Sequence, residues 1–131
     1  DSEGLLWIGV EGHGVYAYHF DTKELVNYRY DPEKANCLSD NMITCIVEDR
    51  HRNLWFSTIS SGIDVYYRET GKFENFNSKK NGLDSDCIYA VTESLNGKLL
   101  LTTNQGFTLF DYYTKLFYNY DNENGSKKDG Q

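Results

Sequence analysis

The stretch Gly14-Val15-Tyr16-Ala17-Tyr18 decides the fold, because it returns twice. Gly62-Ile63-Asp64-Val65-Tyr66 stands 48 residues later, and Gly106-Phe107-Thr108-Leu109-Phe110 stands 44 beyond that. The agreement continues downstream in phase. Thr22, Thr70 and Thr114 match, as do Leu25, Phe73 and Phe117, then Asn27, Asn75 and Asn119, then Tyr28, Phe76 and Tyr120. A second block repeats at a spacing of 45: Leu38-Ser39-Asp40-Asn41-Met42-Ile43 against Leu83-Asp84-Ser85-Asp86-Cys87-Ile88. Asp1 to Trp7 matches Asp49 to Trp55. A fixed period of this length is the signature of stacked supersecondary units.

Within the middle copy four short apolar runs alternate with turn signals: Met42–Glu48, Leu54–Thr58, Ile63–Tyr67 and Lys72–Asn77. These are strand lengths, too short for helices. Four strands per period is the pattern of a propeller blade. Val15 and Ala17, Ile63 and Val65, and Phe107 and Leu109 point one way, while Tyr18, Tyr66 and Phe110 point the other. Bulky residues on both faces fit sheets covered on both sides by neighbours. The predicted fold is all-β: propeller blades of four antiparallel strands, about three of them, over residues 1–36, 37–81 and 82–120, with a polar tail at 121–131. Eleven strands are expected, because the sequence opens in the turn after the first blade's inner strand. That opening predicts an incomplete ring whose two outer faces need cover, from further blades of a longer parent chain or from self-association.

Composition narrows the function. Of 131 residues, 20 are aromatic, which excludes a disordered segment. Acidic residues outnumber basic ones 20 to 13, for a net charge of −7. A field of that sign repels nucleic acid and anionic lipid, so neither is an expected partner. Cys37, Cys45 and Cys87 lack metal-ligand spacing and, being three, cannot all pair. No metal or cofactor is expected. No apolar run reaches the length of a membrane span.

Leu6-Trp7-Ile8-Gly9-Val10 and Leu54-Trp55-Phe56-Ser57-Thr58, with Leu38-Ser39-Asp40-Asn41 and Glu48-Asp49 ahead of the second, resemble the two-component regulator propeller repeat. The resemblance runs from Asp1 to about Tyr120. It implies a periplasmic or otherwise extracytoplasmic segment of an inner-membrane sensor, ligand-sensing for oligosaccharides, with any histidine-kinase chemistry elsewhere in the parent protein. Departures stand out: Trp7 and Trp55 become Leu100, Asp49 becomes Ser94, and Gly4 and Gly97 become Arg52 in the middle copy. If those glycines take positive φ, Arg52 is held in a left-handed conformation.

Trp7 and Trp55 read as core, as do Tyr18, Tyr28, Tyr66 and Tyr120. Glu48 and Glu93 recur by blade, so they read as acceptors for backbone N–H groups of the turn that follows, not as a glycosidase pair. His13, His19 and His51 form neither a triad nor a ligand set. No catalytic residue is expected, although a propeller lyase or glycosidase and a purely structural or interaction propeller are the competing readings. The turns after each blade's second strand share one face with the connections between blades. That face places His13, Ser60, Ser61, Asn104 and Gln105 as candidate ligand contacts, since variable loops on a rigid scaffold carry binding.

Overall fold

A computed structural model describes residues 1–121, and the polar tail expected beyond Tyr120 lies outside it except for Asp121, which ends the last strand. Among the described residues, eleven strands form three antiparallel sheets. The first holds β1 (Leu5–Val10), β2 (Gly14–His19) and β3 (Leu25–Tyr28). The second holds β4 (Ile43–Glu48), β5 (Leu54–Thr58), β6 (Ile63–Tyr67) and β7 (Lys72–Phe76). The third holds β8 (Ile88–Glu93), β9 (Leu99–Thr103), β10 (Gly106–Asp111) and β11 (Leu116–Asp121). Within each sheet, strands pair in chain order. A single helical turn, α1 (Ser78–Asn81), interrupts the second connection. Its Asn77 cap accepts from the Lys80 N–H and Gly82 closes it at φ 79°. The described sheets do not close into a ring.

Two cores lie between the sheets. Trp7, Val15 and Tyr28 of the first meet Leu54, Phe56, Tyr66 and Phe73 of the second. Trp55, Ile63, Val65 and Phe76 of the second meet Ile88, Leu99, Leu101, Phe110 and Phe117 of the third. Every residue of β5 is buried, because the middle sheet is covered on both faces. The alternation read from the sequence therefore divides inward-facing residues between two neighbours. Among the outward faces, Leu6, Ile8 and Val10 stand 48%, 38% and 37% exposed on the first sheet, with Tyr18 packed edge-on against Phe20. On the third, Phe107 stacks on Tyr120.

The repeated glycine has a steric cause. A Cβ on Gly62 would stand 2.2 Å from the carbonyl oxygen of Phe76, and one on Gly14 2.4 Å from that of Tyr28. Each also donates its N–H to the connection entering the next sheet, Gly14 to Asn41 O and Gly62 to Asp86 O, both at 3.0 Å. The inner strands carry matched register shifts, between Ile43 and Cys45 and between Ile88 and Ala90.

Candidate functional site

The two ends of the sheets differ. At one end lie the turns β1–β2, β5–β6 and β9–β10 together with the two inter-sheet connections. Here the structure places all five sequence candidates, His13, Ser60, Ser61, Asn104 and Gln105. Three of them serve the scaffold. Ser60 and Ser61 donate through Oγ to Asp40 Oδ2 at 2.7 and 3.3 Å. Asp40 Oδ1 accepts the Met42 N–H at 2.9 Å. One repeat on, the polarity reverses: Ser85 Oγ accepts the Cys87 N–H and donates to Asn104 Oδ1 at 2.5 Å. Both pairs pin a hairpin turn to the connection leading to the inner strand. Gln105, in the pinned β9–β10 turn, and His13, in the β1–β2 turn, are exposed. The end is a row of separate loops, and the five candidates line none of the three cavities described below.

Beneath it runs a buried polar network. Asp64, 1% exposed, accepts from the Ser39 N–H at 2.9 Å, from Ser39 Oγ and from Asn75 Nδ2. Burial pushes its carboxyl above the ordinary value, against the pull of the Ser39 and Asn75 donors. In the third sheet Thr108 replaces the acid and donates to Asn119 Oδ1 at 2.7 Å. Each network fastens an outer-strand Asn to the centre of its sheet.

The opposite end holds the β4–β5 and β6–β7 turns and a cavity of about 520 Å³ lined by Glu3, His51, Arg52, Asn53, Arg68 and Glu69. Arg68 fills its donors on the structure itself: Asp1 Oδ2 at 3.1 Å, Glu3 Oε2 at 2.5 Å, Glu48 Oε2 at 3.0 Å and the Arg52 carbonyl at 2.8 Å. Glu48 accepts the Ser2 N–H at 3.0 Å and the Ser2 hydroxyl at 2.6 Å. Glu93 takes the equivalent Arg50 N–H at 3.1 Å and the Tyr112 hydroxyl at 2.9 Å. The sequence pattern predicts that these glutamates serve the turn that follows on their own strand. The structure corrects this, since each clamps the matching turn of the preceding sheet. Burial opposes ionisation of Glu48, but Ser2 and Arg68 outweigh it and hold the carboxyl below its usual range. Burial, followed by the bond to Glu93, pushes the Tyr112 phenol up.

Nothing here assembles a catalytic constellation from the sequence candidates. His13 and His19 lie at the two ends of the first hairpin, while His51 meets the Tyr113 hydroxyl at 2.7 Å. Among the described residues no group of His, Cys, Asp or Glu could hold a metal ion, and the three cysteines are free thiols. No helix of the described residues is long and apolar enough to cross a membrane.

Comparison with known proteins agrees with this architecture. The family model described as "Two component regulator propeller" matches residues 37–60. A histidine kinase P4 of Formosa agariphila is 31% identical over 172 aligned residues, covering 95% of this chain and 13% of that protein. The extracellular domain of a putative hybrid two component system from B. thetaiotaomicron superposes with a TM-score of 0.81 at 28% identity, over 88% of this chain and 16% of that one. The extracellular domain of a putative one component system from the same organism shares the fold, with a TM-score of 0.72 at 22% identity, over 89% of this chain and 17% of its own. The chain thus spans about a sixth or less of the relatives it matches. With three in-register copies, a family model that matches residues 37–60 and a matching fold, the chain belongs to the two-component regulator propeller repeat family.

Proposed function

We propose that these three blades are a recognition segment of an extracytoplasmic receptor that senses oligosaccharides and leaves catalysis to other parts of its parent protein. The observation that carries this reading is the likeness to the extracellular domain of a hybrid two component system. It is supported by the division of labour in the site. The recurring carboxylates Glu48 and Glu93 are spent on clamping adjacent sheets, and Asp64 on its own network. Ser60, Ser61 and Asn104 hold the turns at fixed height, and His13 and Gln105 supply the outward polar contacts to sugar hydroxyls. Further blades of the parent chain cover Leu6, Ile8 and Val10 on one side and Phe107 and Tyr120 on the other, because that much apolar surface is not left in water.

The test is calorimetry on the complete extracellular region against a panel of oligosaccharides, with chromatography of the glycan afterwards. The expected result is saturable binding with intact glycan, weakened about tenfold, roughly 1.4 kcal/mol, in the His13→Ala/Gln105→Ala double variant. Turnover of the glycan, or binding indifferent to the double variant, contradicts the reading.

A further inference from the structure

The connection from β3 to β4, residues 29–42, is the longest between described strands and is held at many points. The Asn36 amide donates to the Gly71 carbonyl at 3.0 Å, and its oxygen accepts the Phe73 N–H at 2.8 Å. Asp31 closes a turn on the Glu33 N–H at 2.9 Å, and Asn41 Oδ1 accepts the Tyr30 N–H at 2.8 Å. Long loops ordered by their own contacts are uncommon without a function.

Two cavities, of about 280 and 500 Å³, open along this connection and share Lys34, Cys37, Leu38 and Phe73 in their walls. They form one groove. Arg29 stands in the first part, Lys80 in the second and Lys34 in both. Among the described residues none of these three cations has an ion-pair partner. Of the wall carboxylates, Glu74 is taken by Lys115 and the Tyr67 hydroxyl, while Asp31 closes its turn on the Glu33 N–H and keeps its charge. Tyr30, 45% exposed, edges the groove. On a chain of net charge −7, these three cations face one wall carboxylate without an ion pair among the described residues, Asp31, which leaves a net positive excess along the groove. An arginine fork suits a carboxylate or sulfate, lysines add point charge, and a tyrosine ring offers an apolar face to the sugar.

We propose that this groove binds the acidic group of an oligosaccharide, a uronate or a sulfate ester, with Arg29, Lys34 and Lys80 facing the anion and Tyr30 flanking the ring. The proposal rests on the oligosaccharide-sensing reading and adds to it a charge preference and a second contact area. The experiment uses the complete extracellular region with three probes: an oligogalacturonate, its carboxyl-reduced neutral counterpart, and a sulfated galacto-oligosaccharide. At least one acidic probe is expected to bind about tenfold tighter than the neutral one, with the advantage fading as ionic strength rises to about 0.5 M. The Arg29→Gln/Lys34→Gln/Lys80→Gln variant should lose that advantage while its melting temperature stays unchanged. A Tyr30→Ala variant, which leaves every charge in place, should weaken the same probe. Neutral binding that persists at the His13 face, with no acidic preference, overturns the groove and spares the broader reading. An acidic preference untouched by the triple variant also overturns the groove. Binding of phosphatidylglycerol vesicles with no oligosaccharide bound overturns both.

Discussion

The indole nitrogen of Trp55 donates to Asp49 Oδ2 at 2.9 Å, and both residues are almost wholly buried. Trp7 and Asp1 repeat the bond at 2.5 Å. In each pair the other carboxylate oxygen closes the turn, on the N–H groups of Glu3 and Leu5 or of His51 and Asn53. The third copy has lost both partners, and there Ser94 Oγ accepts the Lys98 N–H in place of a carboxylate. Two departures that look independent in the sequence are one exchange. Without an indole to satisfy the second oxygen, a buried carboxylate has no use and a hydroxyl completes the turn.

Trp55→Phe should therefore cost more than its lost contacts, because Asp49 Oδ2 is left buried without a donor. Adding Asp49→Ser should recover part of the loss, with a coupling of about 0.5–3 kcal/mol in a double-mutant cycle read by chemical denaturation. Trp55→Ala alone is expected to cost about 3–5 kcal/mol. Strict additivity would show that the pair is not a unit.

Arg52 sits at φ 70°, where its counterparts Gly4 and Gly97 sit at 79° and 82°. Arg52→Gly removes a left-handed side chain, worth about 1–2 kcal/mol, and an exposed pair with Glu3, worth about 0–1. Thermal melts should show a net gain of about 1 kcal/mol. A loss would mean the Glu3 pair outweighs the strain.

Glycines of the repeat are not equivalent. Gly62→Ala drives a Cβ into a backbone carbonyl and should cost about 3 kcal/mol or more. Gly4→Ala meets nothing within 4 Å and should cost only the left-handed penalty of about 1 kcal/mol. Equal losses in denaturant titrations would contradict the close approach at Gly62.

Glu48 has a native carboxyl held below the ordinary 4.5, so it stabilises the fold well above that pH and ceases to as pH falls through the lowered native value. Stability measured from neutral pH downward should fall less steeply in Glu48→Gln than in the wild type over that acid window. Parallel curves would remove Glu48 from the acid response. Asp64 acts with the opposite sign, since its raised carboxyl makes the native state the better proton binder above the unfolded value.

The sheets were legible from the sequence because three copies in phase carry both strand length and facing. The expected runs Leu54–Thr58 and Ile63–Tyr67 match β5 and β6 residue for residue. The left-handed Arg52 was legible for the same reason, by position against two glycines. The clamps between sheets were not. Glu48 reaches Ser2, 46 residues away, and no local pattern says that a strand-end carboxylate serves the neighbouring sheet. Nor could spacing show that Ser60 and Asn104, both candidate ligand contacts, are held by Asp40 and Ser85. The groove beside Arg29 depends on where a long connection lies against β7, which periodicity does not encode.

The central claim is that these are consecutive blades whose outward faces are blade interfaces. Hydroxyl-radical footprinting of the full-length protein tests it most directly. Tyr18, Phe107 and Tyr120 should be protected to the degree of Tyr66 in the first interface, while Tyr113, 63% exposed, labels freely. Labelling of Tyr18, Phe107 and Tyr120 at the rate of Tyr113 would contradict it.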